Sequence, residues 1–296
     1  MTKTDWVDIT AHISEASGQA FEVNNLSTVG GGCINQAWRL QGNSGTWFVK
    51  INSSARRDMF AAEMAALQAI AATDTITVPV PLCCGATAQH AYLVLEYLDL
   101  DASGGDASAV LGEQLAAMHR HTANHFGWYR NNTIGSTAQI NTQTADWVTF
   151  WRDRRLGLQL ELAARNGYRG RLQQRGEKLL GCVDQLLAGH EPLPSLLHGD
   201  LWSGNHSAMA DGRPVIFDPA SYYGDRETDL AMTELFGGFS GRFYRAYRDA
   251  WPLADGYARR KVLYNLYHIL NHLNLFGAGY RSQAETMVEQ LLAELG

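Results

Sequence analysis

The chain has 296 residues, of which 46% are hydrophobic and 18% charged, enough for a sizeable core in one large domain or in two lobes. The formal net charge is −6 and the basic clusters at 152–155 and 259–261 are short, which argues against nucleic acid as the main partner. No apolar run approaches the roughly 18 residues of a membrane span, and no signal-peptide core is present, so we expect a cytoplasmic protein without a membrane partner.

The first third of the chain is predicted to be rich in strands. In chain order, its predicted elements are a helix over 5–17, strands over 21–29, 36–40 and 46–51, a helix over 56–72 and a buried strand over 91–97. The second and third strands flank a turn rich in Gly and Asn, which is typical of a β-hairpin.

The pattern changes near residue 98, and the rest of the chain is predicted to be mostly helical. A linker-like stretch over 101–106 comes first. Helical patterns then cover 107–121, 145–165, 170–189, 228–236, 240–250, 258–275 and 282–295, with short β-like pieces at 206–209 and 214–217. We therefore predict an α+β protein with an N-terminal lobe over 1–98 and a C-terminal lobe over 99–296.

The segment around residue 200 carries the side chains that phosphoryl transfer needs. Asp200 and Asn205 stand on a predicted loop, and Asp218 follows an apolar strand thirteen residues after Asn205. A carboxylate can accept the proton of an attacking hydroxyl, and an amide oxygen with a second carboxylate can hold Mg²⁺. Asp and Asn in loops also form caps and turns, but the complete set at this spacing favours chemistry. Asp200 is the candidate base, and Asn205 and Asp218 are the candidate metal ligands.

These motifs resemble the catalytic and metal-binding loops of aminoglycoside phosphotransferases, choline kinases and protein kinases. Protein kinases have HRD and DFG where this chain has HGD (198–200) and DPA (218–220), which points to the small-molecule branch. The runs LHGDLWSGN (197–205), FDPA (217–220) and YGDRETDLAM (223–232) resemble the fructosamine kinase, or ketosamine-3-kinase, family. The resemblance implies a protein-kinase-like fold, with an antiparallel sheet lobe that binds nucleotide and a mostly helical catalytic and substrate-binding lobe.

Lys50 and Glu63 are candidates for the nucleotide site. Lys50 ends an apolar strand, from which an ammonium can reach phosphates as a point charge. Glu63 lies thirteen residues on, in a predicted helix, and is suited to pair with Lys50. Either could alone be an ordinary surface residue. By resemblance they are the strand lysine and the helix glutamate of the kinase fold.

Three consecutive glycines, Gly30, Gly31 and Gly32, lie between two predicted strands. Glycines let a turn approach phosphates, whose oxygens accept backbone N–H bonds. The run is neither a Walker A motif nor GxGxxG, and a hairpin turn without a ligand is the alternative. Its position, eighteen residues before Lys50, matches the phosphate-covering loop of the resembling family.

The resemblance also places an adenine-binding hinge where the composition changes. The hinge residues are Glu96, Tyr97, Leu98 and Asp99, and the backbone groups of Tyr97 and Leu98 would pair with the adenine edge. This prediction depends on position along the chain and not on side-chain chemistry.

The acceptor side is predicted from aromatic and acidic residues near the catalytic run. Trp202, Tyr223 and Asp225 are candidate substrate contacts, with core packing as the alternative for the two aromatic rings. Asp229 is predicted to accept backbone N–H bonds from the catalytic loop, with substrate contact as its alternative.

The four cysteines show no spacing typical of a zinc site. Cys33 lies inside the glycine run, where a lowered thiol pKa would make it oxidisable. It is a redox candidate that could join two chains as a homodimer, as in the resembling family; a monomer in which Cys33 has no role is the alternative.

The resemblance implies the cofactors ATP and Mg²⁺ and a ketosamine acceptor, namely a fructosamine, ribulosamine or erythrulosamine, free or on a protein lysine. Phosphorylation at the sugar O3 would make the adduct unstable and release the amine, a protein deglycation. One alternative is a kinase for another small alcohol, such as an aminoglycoside or a choline-like compound. A second is an inactive kinase fold that binds nucleotide or a partner.

Overall fold

The computed structural model describes residues 3–30, 34–100 and 107–295. The strands are β1 (Val23–Val29), β2 (Gln36–Gly42), β3 (Gly45–Ser53), β4 (Pro81–Ala86), β5 (His90–Glu96), β6 (Asn132–Ile134), β7 (Thr137–Gln139), β8 (Ser195–Leu196), β9 (His206–Ala208), β10 (Pro214–Ile216) and β11 (Tyr223–Gly224). The helices are α1 (Lys3–Ser17), α2 (Arg57–Ala71), α3 (Ser108–His119), α4 (Trp147–Trp151), α5 (Leu158–Arg165), α6 (Arg171–Leu180), α7 (Val183–Leu186), α8 (Glu227–Leu235), α9 (Gly241–Ala250), α10 (Tyr257–Phe276) and α11 (Arg281–Ala293).

Two compact units make up the chain. The first unit comprises Met1–Ala107 and His206–Pro219, and the second comprises Ser108–Asn205 and Ala220–Gly296. The hairpin of β9 and β10 groups with the first unit because Val215 forms a parallel bridge with Thr77. The predicted C-terminal lobe over 99–296 includes this hairpin. The division of nucleotide binding and catalysis between the parts stays a prediction.

The first unit is built on a five-stranded antiparallel sheet in the order β1-β2-β3-β5-β4. The predicted hairpin is confirmed, with Asn43 and Ser44 forming the turn between β2 and β3. The core of the first unit includes Ile9 and Ile13 of α1, which pack in one buried cluster with residues of β2 and β3. Burial of these aliphatic side chains is the main force that holds α1 and the sheet together.

Strand β4 lacks a clear signal in the sequence. It begins at Pro81 and contains Gly85, and both residue types are rare inside strands. The strand lies at the edge of the sheet, where a missing ladder hydrogen bond is tolerated. Cys83 on this strand is buried and packs in the core of the sheet.

The second unit is mostly helical, as predicted. Its long helix α10 is buried along most of its length and packs against α5, α8 and α11. The pattern predicts one helix over 145–165, whereas the structure has α4, a π-helical segment at Arg152–Gly157 and then α5. Strands β6, β7, β8 and β11 have two or three residues each, too few for an alternating pattern to be recognised. Within the described ranges, no helix is both long and apolar enough to span a membrane.

Candidate active site

The loop that carries Asp200 follows β8 and is held by a buried carboxylate. Asp229, in the first turn of α8, accepts hydrogen bonds from the backbone N–H groups of His198 at 2.7 Å and Gly199 at 2.8 Å. His119 lies 3.1 Å from the same carboxylate. Burial opposes the charge, but the bonds from His119 and Gly199 outweigh it and hold the pKa of Asp229 below its ordinary value. The predicted backbone-binding role of Asp229 is confirmed.

Gly199 allows two backbone segments to come into close contact. Its φ is 85°, and a Cβ placed there would lie 2.2 Å from the carbonyl oxygen of Ala220. The N–H of Ala220 in turn donates to the carbonyl of His198 at 2.8 Å. The segment after Asp218 and the loop before Asp200 are therefore joined directly through their backbones, and the middle position of the HGD run has room only for glycine.

We expect Gly199→Ala to lower the free energy of unfolding by about 2–5 kcal/mol, because overpacking adds to the cost of a left-handed alanine. Gly189→Ala is the matched control, since Gly189 has φ 74° and nothing within 4 Å of an added Cβ. The control should lose only about 1–2 kcal/mol, the conformational cost alone. Urea unfolding of both variants measures the difference, and equal losses would contradict the proposed clash.

Asp200 and Asn205 are brought together in the second unit. Asp200 is half-buried, and Asn205 is buried at the end of a short helical turn, Ser203–Asn205. The Nδ2 of Asn205 donates to the backbone carbonyl of Asp200 at 2.9 Å. Because the amide nitrogen already donates this hydrogen bond, a cation would bind to the Oδ1 atom of Asn205.

Lys50 lies on β3 in the first unit and has two acidic partners. Its Nζ donates to Oε1 of Glu63 on α2 and to Oδ1 of Asp218. Burial alone would lower the pKa of Lys50, but the carboxylates of Asp218 and Glu63 raise it above its ordinary value, so the ammonium stays charged. The predicted pairing with Glu63 is confirmed. The sequence gives no signal for the second pairing, because Lys50 and Asp218 are 168 residues apart.

Asp218 follows β10 in a left-handed backbone conformation, which is uncommon for residues other than glycine. Its φ is 60°, a left-handed value that costs a non-glycine residue about 1–2 kcal/mol. The side chain is 47% exposed, unlike that of Lys50. One ammonium facing two carboxylates leaves a net negative charge, which favours a cation. The carboxylate of Asp218 offers oxygen donors and so, in the second unit, does the amide of Asn205; Mg²⁺ prefers oxygen ligands, so each of the two residue types fits the predicted metal.

The other predicted nucleotide residues are placed as follows. Gly30 is exposed at the end of β1, whereas Gly31, Gly32 and Cys33 lie outside the described residues. Glu96 ends β5, and its carboxylate accepts a hydrogen bond from the backbone of Val80 at 3.3 Å. The guanidinium of Arg39 lies 4.6 Å from the ring centroid of Tyr97. Leu98 and Asp99 follow in irregular backbone. Adenine binding at these residues stays a prediction.

The predicted substrate contacts differ in exposure. Trp202 is 38% exposed, with its indole ring packed against Gly204, where an added Cβ would lie 2.4 Å from the ring. Tyr223 is half-buried on β11. Trp202 is thus the more accessible of the two aromatic rings.

Asp225 is buried among side chains of the second unit. It accepts bonds from His190 at 2.6 Å, Tyr264 at 2.5 Å and the backbone of Glu227 at 3.0 Å. Burial opposes its charge, but the bonds from His190 and Tyr264 hold the pKa of Asp225 below its ordinary value. Beside it, Arg260 forms a bidentate ion pair with Glu227. This geometry ties Asp225 into the fold, and its predicted contact with substrate stays a prediction.

Solved structures define the class of the fold. A choline kinase from Streptococcus pneumoniae matches with a TM-score of 0.65 at 15% identity, over 98% of this chain and 99% of that one. A Haemophilus somnus protein described as a "putative fructosamine-3-kinase" matches with a TM-score of 0.89 at 30% identity, over 97% of both chains. The protein therefore has the kinase-like fold of small-molecule kinases, and the predicted α+β class is confirmed.

Sequence comparisons define the family within that class. The sequence model of fructosamine kinase matches residues 5–294. A "probable ketoamine kinase" from Synechocystis is 48% identical over 288 residues, which cover 97% of both proteins. A chloroplastic protein-ribulosamine 3-kinase from Oryza sativa subsp. indica is 42% identical over 281 residues, covering 94% of this chain and 82% of that protein. The chain belongs to the fructosamine kinase family, whose members are kinases and use ATP.

Proposed function

We propose that this protein transfers the γ-phosphate of ATP to the sugar O3 of a ketosamine, free or attached to a protein lysine. The observation that carries the proposal is the match over almost the whole chain to the fructosamine kinase family, together with a relative named protein-ribulosamine 3-kinase. Ribulosamine, erythrulosamine and fructosamine are the acceptors in question. Phosphorylation would make the adduct unstable and free the amine, which is a deglycation.

Each side chain of the candidate site has its own role in the proposed reaction. Asp200 accepts the proton of the sugar hydroxyl as it attacks. Lys50, held by Glu63, positions the phosphates with a charge that burial does not remove. Asn205 and Asp218 would hold Mg²⁺, which when bound offsets negative charge that develops on the phosphoryl oxygens. The protein supplies mainly position and electrostatic stabilisation, since phosphoryl transfer needs little covalent chemistry from it.

The remaining assignments are part of the same proposal. Gly30, with Gly31 and Gly32, covers the phosphates, and the backbone of 96–99 binds adenine. Trp202 offers an exposed aromatic face to the acceptor sugar, as rings do in many carbohydrate sites. A cytoplasmic location, and the lack of nucleic-acid and membrane partners, stay predictions from the sequence.

An acceptor panel tests the proposed function. Purified protein with ATP and Mg²⁺ is incubated with ribulosyl-lysine, erythrulosyl-lysine, fructosyl-lysine, kanamycin or choline, and NMR locates the phosphate on any product. We expect phosphate on O3 of at least one ketosamine. A product from kanamycin or choline alone would identify a kinase of another small alcohol. ATP binding without turnover on any acceptor would identify an inactive kinase fold.

We also propose that oxidation joins two chains through Cys33. Peroxide should then produce a dimer on a non-reducing gel, and Cys33→Ser should abolish it. Cys83 should contribute little to disulfide formation, because burial raises the pKa of its thiol to about 12 and keeps it protonated at neutral pH. An unchanged gel mobility and unchanged activity after peroxide treatment would contradict the role of Cys33.

A further inference from the structure

The hairpin of β6 and β7 places two buried amides against the segment that follows Asp218. Asn132 and Gln139 lie opposite each other in the hairpin register. The Nδ2 of Asn132 donates to the carbonyl of Ser221 at 2.8 Å, and the Nε2 of Gln139 donates to the carbonyl of Ala220 at 3.0 Å. The two side chains also bond to each other, Gln139 Nε2 to Asn132 Oδ1, at 2.8 Å. They form an amide pair that binds two consecutive backbone carbonyls.

Neighbouring side chains fix the orientation of this amide pair. The hydroxyl of Tyr267 donates to Gln139 Oε1 at 2.7 Å, and Asn141 Nδ2 donates to Asn132 Oδ1 at 2.8 Å. Because both amide oxygens already accept bonds, both nitrogens face the backbone carbonyls. Arg155 extends the network by donating to Asn141 Oδ1 at 2.8 Å. Such a connected buried network resists rearrangement more than isolated bonds do.

The segment after Asp218 is therefore held from two sides. On one side the Ala220 N–H donates to the carbonyl of His198, and on the other the amide of Gln139 binds the Ala220 carbonyl. Asp218, two residues earlier, has the left-handed φ of 60°. A non-glycine residue keeps such a conformation when the residues on both sides of it are held in place. On the C-terminal side of Asp218, the hydrogen bonds of Ala220 hold the backbone. On the N-terminal side, the pairing of β10 with β9 holds it.

We propose that Asn132 and Gln139 are positioning residues that set the affinity of Asp218 for its divalent cation. They act through the backbone of Ala220 and Ser221 and contact no reacting atom. The inference rests on the proposed function only in that Asp218 is a metal ligand. Neither residue lies in a catalytic motif, and their partners are about eighty to ninety residues away along the chain.

The test is Gln139→Met, which keeps the length of the side chain and removes its donor. Mn²⁺ is titrated into protein with equimolar ADP, and electron paramagnetic resonance measures the free ion. Loss of one hydrogen bond to the segment should weaken Mn²⁺ binding by about 3- to 10-fold. In the kinase assay, the Mg²⁺ concentration for half-maximal rate should rise by a similar factor, with kcat at saturating Mg²⁺ unchanged.

Gln173→Met is the matched control. Like Gln139, Gln173 donates two hydrogen bonds from its Nε2, in this case to the backbone carbonyls of Leu160 at 3.1 Å and Tyr168 at 2.9 Å. This variant should lose thermal stability comparably and keep the wild-type Mn²⁺ affinity. Wild-type Mn²⁺ affinity in Gln139→Met, or an equal shift in the control, would overturn the inference.

Asn132→Ser provides a second measurement, since it removes the bond to Ser221 and keeps a polar group. It should weaken Mn²⁺ binding in the same direction. If neither Gln139→Met nor Asn132→Ser folds, the hairpin is a folding element and the positioning role is rejected. The Mn²⁺ titration uses no ketosamine, so a wild-type protein that binds the ion but phosphorylates no acceptor would contradict the proposed function and not this inference.

Discussion

Asp200→Asn is expected to lower kcat for ketosamine phosphorylation by about 10²–10⁴-fold, the usual contribution of a positioned general base. An amide of nearly the same shape cannot accept the hydroxyl proton. The fold should tolerate the change, because Asp200 is half-buried and Asn205 bonds to its backbone carbonyl, which the variant keeps. The KM for ATP should stay close to the wild-type value. Steady-state kinetics with the best acceptor of the panel measures both constants.

Asp249→Asn is the matched control for this result. Asp249 is exposed on α9, and the same substitution there should leave kcat and the melting temperature unchanged. Equal rates for Asp200→Asn and wild-type protein would remove Asp200 as the base. A large loss of melting temperature in Asp200→Asn would instead assign the residue a structural role.

Lys50→Met is expected to affect both stability and activity. The variant leaves Glu63 and Asp218 without their shared ammonium, and Glu63 is only 11% exposed. Removing one partner of a buried ion pair typically costs about 3–5 kcal/mol, because the remaining charge is uncompensated. Without a charge to position the phosphates, kcat/KM for ATP should fall by about 10²–10³-fold. Urea unfolding and steady-state kinetics measure the two effects.

A second substitution separates those two effects. Adding Glu63→Gln to Lys50→Met removes the uncompensated carboxylate, so part of the lost free energy of unfolding should return. The activity should not return, because no ammonium is restored. Full recovery of activity in the double variant would show that Lys50 serves only to balance Glu63. No loss of stability in Lys50→Met would contradict the buried ion pair itself.

The sequence predicts most of the helices and the central hairpin because their patterns are long. The helix over 56–72 and the strand over 91–97 agree with α2 and β5 within a residue or so. Strand β4 is not predicted, because Pro81 has a poor strand propensity. Proline is tolerated there because β4 lies at the edge of the sheet, which the sequence does not reveal. Short strands such as β6 carry no periodic signal, and tertiary contacts alone define them.

The candidate site also contains features that the sequence predicts and features that it does not. Asp200, Asn205 and Asp218 are recognisable from local spacing, since a loop motif needs no knowledge of distant residues. Long-range pairings are not recognisable in this way. The bond between Lys50 and Asp218 depends on the three-dimensional fold. The position of Asp225 along the chain likewise does not reveal that it is buried and bonded to distant His190.

The π-helical segment at Arg152–Gly157 limits which insertions and deletions the chain can accept. A π-helical turn takes about one residue more than an α-helical turn, so deleting one residue there would restore α-helix and keep the orientation of α5, whereas inserting one would rotate everything that follows within the helix by about 100°. Leu160 and Ala163 of α5 are both buried, and such a rotation would carry them out of the core. A substitution in this segment changes one side chain, whereas an inserted residue changes the direction in which the hydrophobic face of α5 points. The number of residues between α4 and α5 is thus as much a determinant of the fold as their identity.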